Sequence, residues 1–184
     1  MKTQTLPQTR ITKISAEGFE LIKHFEDLKL SAYLCQAGVW TIGYGTTRYS
    51  NGNRVKQGDR ITRAVAELEF KKQIPFYEAK VDDLTRDDIT QNEFDALVSF
   101  AYNVGAGEDG YQGSSLRKAV NSRTAEPLYI EGRFGVWNKR RVEGVLKPSN
   151  GLTRRRKSEA HLYNTGELNY FLEDINVTLK MKSH

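Results

Sequence analysis

The chain has 184 residues, of which 38% are hydrophobic and 10% aromatic, and a mean hydropathy of −0.61. It can bury a substantial core, and wholesale disorder and a membrane-spanning design are both excluded. The formal net charge of +5 fits an anionic partner: nucleic acid, an acidic membrane or an acidic cell-wall polymer. One cysteine leaves no internal disulfide and no all-cysteine metal site, and the widely spaced His24, His161 and His184 form no ligand motif, so no metal and no cofactor is expected. The opening MKTQTLPQTRITK has no hydrophobic stretch after its basic residues, so no secretory signal is expected and synthesis as a cytosolic species is.

Taken in order, residues 1–14 read as an N-terminal extension. Ser15 is a candidate N-cap, with Glu17 and Glu20 near the positive end of a helix whose stripe is Phe19, Ile22 and Phe25. From Leu30 to Ile61, glycines alternate with aromatic and β-branched residues, which predicts short antiparallel strands. SNGN at 50–53 is the clearest turn. A helix is predicted from Thr62 with Ile61, Val65 and Leu68 on its apolar side, ended or kinked by Pro75. Thr90-Gln-Asn-Glu93 is a capping box opening a helix with the face Phe94, Leu97, Val98 and Ala101. After the glycine-rich loop 105–113 come a short helix over Ser115 to Asn121, another containing Ile130, Phe134 and Trp137, and a last one from Leu152 to Asn164 closed by Gly166. The alternation of Ile175, Val177, Leu179 and Met181 in the tail 167–184 reads as a strand. Most charges of Lys139–Arg141, Lys147 and Arg154–Lys157 are expected to face solvent, with some bracing Glu159 or other carboxylates.

The fold class is therefore α+β: a small β-rich lobe, about 28–61, and a larger helical lobe, about 62–166, with a cleft between them suited to an extended substrate. Where helix gives way to strand stands Glu26, flanked by Phe25 and Leu28. Partial desolvation by such neighbours disfavours the carboxylate, which suits a general acid, and Asp27 adds a like charge. By residue type alone, a glutamate at a helix end is more often a solvated surface group.

The stretch LIKHFEDLKLSAYLCQAGVWTIGYGTT, followed in order by QNEFDALVSFAYNVG, SSLRKAVN, FGVWNK and GLTRRRKSEAHLY, resembles the phage-type lysozymes, the endolysin muramidases, over roughly residues 15–166. The resemblance implies the lysozyme fold and a catalytic set of Glu26, Cys35 and Thr41, with Thr47, Tyr102 and Ser115 lining the glycan groove. Cys35 falls where the family usually has aspartate, Asp27 where it has glycine and Thr46 where it has histidine. Three readings of Cys35 stay open: a weak partner of Thr41 in holding water, a nucleophile forming a glycosyl thioether, or a small buried hydrophobe. A thiol of ordinary pKa, about 8.5, is only a few per cent thiolate at neutral pH. Trp40, Tyr44 and Tyr102 are candidates for stacking on sugars or, more commonly, for the core.

The function implied is hydrolysis of the β-1,4 bond between N-acetylmuramic acid and N-acetylglucosamine in bacterial peptidoglycan, for host lysis. The protein would act as a monomer, without cofactor or membrane insertion. It would wait in the host cytoplasm for a lesion such as a holin pore, then work in the periplasm or wall. A lysozyme-like peptidoglycan-binding protein impaired by the missing carboxylate is the alternative. A nucleic-acid binder ranks far below, because no helix-turn-helix or aromatic RNA motif accompanies the charge.

Overall fold

The computed structural model describes residues 10–35, 38–123 and 125–172. The expected strand around Ile175 to Met181 and most of the N-terminal extension lie outside the described residues. The architecture is α+β, built from six helices and two two-stranded antiparallel sheets among those residues.

Helix α1, Ala16–Phe25, opens on Ser15, whose side chain accepts from the Gly18 N–H. The buried Asp95 carboxylate accepts from the Ser15 backbone N–H at 2.9 Å, from its hydroxyl, and from Gln91 Nε2 at 2.8 Å. Gly18 sits against this cap: a Cβ there would lie 2.9 Å from both Cγ and Oδ1 of Asp95. Asp95 is held by three bonds and has little room to yield, so Gly18→Ala is expected to cost about 1–3 kcal/mol in a denaturant melt. An unchanged midpoint would show that the cap is loose.

Strands β1, Lys29–Leu34, and β2, Trp40–Gly43, pair with Tyr33 opposite Thr41. Bridges Ser31–Arg60 and Arg48–Arg54 extend this lobe, and the 50–53 turn closes with the Gly52 N–H on the Tyr49 carbonyl.

Helix α2 spans Arg63–Leu84 and is not ended by Pro75. The carbonyl that proline leaves without a helical partner is that of Lys71, an exposed residue. The buried face of α2 is Ala66, Phe70, Ile74 and Val81, together with Glu69 and Glu78, while Val65 and Leu68 (51% accessible) face out. The two glutamates are tolerated inside because Ser50 serves Glu69, and Lys13 and the Ile14 N–H serve Glu78.

Helix α3, Gln91–Val104, opens on the expected capping box. Every residue from Phe94 to Ala101 is buried, not only the expected stripe, as befits a helix packed by α1, α2 and the last helix on different sides. Helix α4 spans Ser115–Asn121 and α5 Pro127–Gly135. Trp137 falls just beyond α5, its N–H on the Phe134 carbonyl and its ring edge-on to Phe100.

Strands β3, Lys139–Val142, and β4, Val145–Pro148, form a hairpin that the sequence reading did not contain. Both turn residues have positive φ, Glu143 at 51° and Gly144 at 79°, as a type I′ turn requires. Both strands are exposed on both faces and carry no apolar–polar alternation, so the usual strand signal is missing. Helix α6, Asn150–Thr165, follows from the Ser149 cap and is closed by Gly166 in the left-handed conformation.

Candidate active site

Glu26 is the first residue beyond α1, in extended backbone, with its N–H still bonded to the Ile22 carbonyl at 3.2 Å. Its side chain, 21% accessible, lines a pocket of ≈ 160 Å³ with Gly45, Gln73, Tyr77, Tyr102 and Asn103. A somewhat larger hollow of ≈ 200 Å³ beside Arg86, Glu93 and Tyr163 contains none of the predicted site residues.

The partner of Glu26 comes from α6. Arg155 Nη1 lies 2.6 Å from Glu26 Oε1, while its Nε meets Glu159 at 3.1 Å and its Nη2 donates to the Ser99 carbonyl at 3.2 Å. Glu159, fully buried, also receives the Ser99 hydroxyl at 2.8 Å and lies 2.8 Å from Arg156 Nε. Arg156 is buried in turn, its guanidinium 4.9 Å above the Phe100 ring. Most of the basic charges face solvent, as expected, and Arg155 and Arg156 are the buried ones that brace Glu159. Burial alone would lower the Arg155 guanidinium, but the charges of Glu26 and Glu159 hold it above its ordinary pKa. Residues 155, 156, 159, 162 and 163 share one helical stripe, which was the available clue that two arginines point inward.

Asp27 contributes little to this field. Its side chain is 90% accessible and lies 3.7 Å from Lys29, where water screens both.

The β1–β2 hairpin carries Thr41 and Cys35, neither of which lines the Glu26 pocket. Thr41 is buried on β2 and its hydroxyl donates to the Val39 carbonyl at 3.0 Å. Cys35, half-buried, follows β1 and gives its backbone N–H to the same carbonyl at 3.0 Å. Tyr33, paired across the hairpin with Thr41, is raised above the ordinary tyrosine pKa by burial and then by the charges of Cys35, Glu26 and Asp27.

Tyr102 joins Glu26 in the pocket. Its hydroxyl donates to the Tyr44 carbonyl at 2.6 Å, and burial, then the Glu26 charge, push its pKa up. Tyr77, 4.9 Å from Tyr102 between ring centroids, is raised by the same two causes. Tyr44 belongs to the core, against Phe70, and Trp40 is half-buried. Thr47, exposed after β2, and Ser115, half-buried in the first turn of α4, do not line the Glu26 pocket. Gln73, Tyr77, Asn103 and Arg155 are pocket residues or neighbours that sequence reasoning missed. Gln73 donates to the buried Thr46 at 2.7 Å. Among the described residues no cluster of histidine, cysteine or carboxylate side chains is suited to a metal ion, and no helix is long and apolar enough to cross a membrane.

Glu26 thus stands at the end of α1 in a pocket whose other lining residues come from just after β2, from α2 and from α3. The phage lysozyme family profile matches residues 23–159. The chain is 35% identical over 150 residues to the endolysin of Acyrthosiphon pisum secondary endosymbiont phage 1, covering 82% of this chain and 97% of that protein. Among solved structures, an endolysin from Escherichia coli O157:H7 phage FAHEc1 superposes with a TM-score of 0.76 at 38% identity, over 85% of this chain and 96% of the other. The muramidase domain of SpmX from Asticaccaulis excentricus does so with a TM-score of 0.73 at 32% identity, over 83% and 98%. The chain belongs to the phage lysozyme family and is a lysozyme-type glycoside hydrolase.

Proposed function

We propose that this protein is an endolysin that hydrolyses the β-1,4 bond between N-acetylmuramic acid and N-acetylglucosamine in peptidoglycan, with Glu26 as general acid, to lyse a bacterial host. The supporting observation is the position of Glu26 at the end of α1, where it lines the pocket with Tyr77 and Tyr102 while Arg155 Nη1, 2.6 Å from Oε1, orients the carboxyl. In the reaction, Glu26 protonates the glycosidic oxygen and the bond to the anomeric carbon breaks. A water on the opposite face, held by Thr41 and Cys35, adds at that carbon and gives its proton to bulk water, from which the Glu26 carboxylate is reprotonated for the next turnover. Because the Thr41 hydroxyl proton is committed to the Val39 carbonyl, its lone pairs are free to accept from that water.

Thr47, Tyr102 and Ser115 extend the reading to the glycan groove, and Tyr102 has the clearest support because it lines the Glu26 pocket. Access to the wall is through a lesion such as a holin pore, after which the monomeric enzyme acts in the periplasm or wall. The basic β3–β4 hairpin favours approach to an anionic envelope.

Cys35 supplies a second reading, that of a wall-binding protein that no longer turns over, because a thiol stands where the family usually has a carboxylate. Cys35→Ser and Cys35→Asp, assayed on purified peptidoglycan under reducing conditions, separate the two. For an active thiol-containing enzyme, Cys35→Ser lowers kcat on the order of 10²-fold. Cleavage by Cys35→Asp beside an inactive wild type would establish the impaired protein instead.

A further inference from the structure

The family profile ends at residue 159 and α6 at Thr165, yet the chain continues across the body of the protein. Gly166, at φ 77°, turns it, and Leu168 and Tyr170 pack against the core. The Tyr170 ring lies flat on His24, with centroids 3.7 Å apart and planes within 12°, and meets Phe25 edge-on at 6.1 Å. Phe171 meets His161 of α6 edge-on at 5.6 Å, with Lys157 Nζ 5.8 Å from its ring. Phe171 therefore secures the segment to the helix it leaves, and Tyr170, just before it, secures it to the last turn of α1.

That last turn carries the site. Phe25 immediately precedes Glu26, and its ring lies 5.8 Å from the Arg155 guanidinium that pairs with Glu26. Burial and the neighbouring Arg154 charge lower the His24 pKa.

We propose that Tyr170 is a positioning residue for Glu26: by stacking on His24 and edging Phe25 it fixes the end of α1, and with it the direction in which the carboxyl faces Arg155 and the groove. This deepens, and rests on, the reading of Glu26 as the acid. It gives the segment 167–172, which lies beyond the family profile, a part in turnover rather than in wall binding.

The test uses the full chain as wild type, Tyr170→Ala and Tyr170→Phe, with muramidase kinetics and amide hydrogen exchange on each. Small misplacements of a reacting group are costly, so Tyr170→Ala is expected to lower kcat about tenfold with KM little changed. Tyr170→Phe keeps the ring and should retain wild-type kcat. In Tyr170→Ala the amides of His24, Phe25 and Glu26 should exchange faster while those of α3 stay protected. Unchanged exchange at the end of α1, unchanged kcat, or a rise in exchange that includes α3 would each overturn the proposal. Exchange needs no turnover, so an inactive wild type would refute the Glu26 reading while the clamp itself was still decided.

Discussion

Replacing Glu26 by glutamine is expected to lower muramidase turnover by about 10²–10⁴-fold, the range over which a positioned general acid contributes. Glutamine has nearly the same shape and can still accept from Arg155, but it has no proton to give the leaving oxygen. The fold should persist, because Arg155 keeps Glu159 at 3.1 Å and the Ser99 carbonyl at 3.2 Å. The expected signature is loss of new reducing ends with wall binding and near-UV circular dichroism retained. Residual turnover within tenfold of wild type would remove Glu26 from the acid's role and direct attention to another carboxyl in the groove.

Glu159→Ala is expected to produce the largest loss of stability. The carboxylate it removes is fully buried and faces two guanidiniums that are themselves 3% and 1% accessible. Deleting one partner of a buried ion pair costs about 3–5 kcal/mol, because the remaining charge stays out of water. Here Arg155 would keep Glu26, but Arg156 would lose its carboxylate partner. For a chain of this size the thermal midpoint should fall by roughly 6–20 °C. The contrast is Asp27→Ala, which breaks an exposed contact of 3.7 Å and should change stability by less than about 1 kcal/mol. Equal effects from the two variants would show that the Arg155–Glu159–Arg156 cluster does not hold the helical lobe together. Activity should also suffer in Glu159→Ala, since the arginine it orients is the one that holds Glu26.

The parts of this arrangement that were legible in the sequence are those with local causes. Ser15 and the Thr90–Glu93 box mark their helix starts because hydroxyl and carboxylate caps satisfy N–H groups a few residues away. The turn at 50–53 and the left-handed Gly166 are local as well. What escaped was decided at long range. Pro75 does not end α2, and the residue whose carbonyl it leaves unpaired, Lys71, is on the exposed side, which depends on how α2 packs. Val65 and Leu68 keep a helical spacing, but the side of α2 that meets the core is chosen by Phe70 and Ile74. The β3–β4 hairpin lacks alternation because neither face is covered, so its only signal was Glu-Gly between two valines. Glu26 and Arg155 are 129 positions apart in sequence. The motif resemblance located Glu26, and only the fold brings Arg155 to it. Thr41 and Cys35 were placed by the same resemblance, and the hairpin sets both around the Val39 carbonyl.

The most direct measurement is product analysis of purified peptidoglycan digested by the wild-type protein under reducing conditions, with the new chain ends reduced and identified by mass spectrometry. An N-acetylmuramidase leaves N-acetylmuramic acid at each new reducing end, in amounts that grow with time and depend on Glu26. If the protein binds the wall and no new reducing ends appear, or if those ends are N-acetylglucosamine, the muramidase account is contradicted.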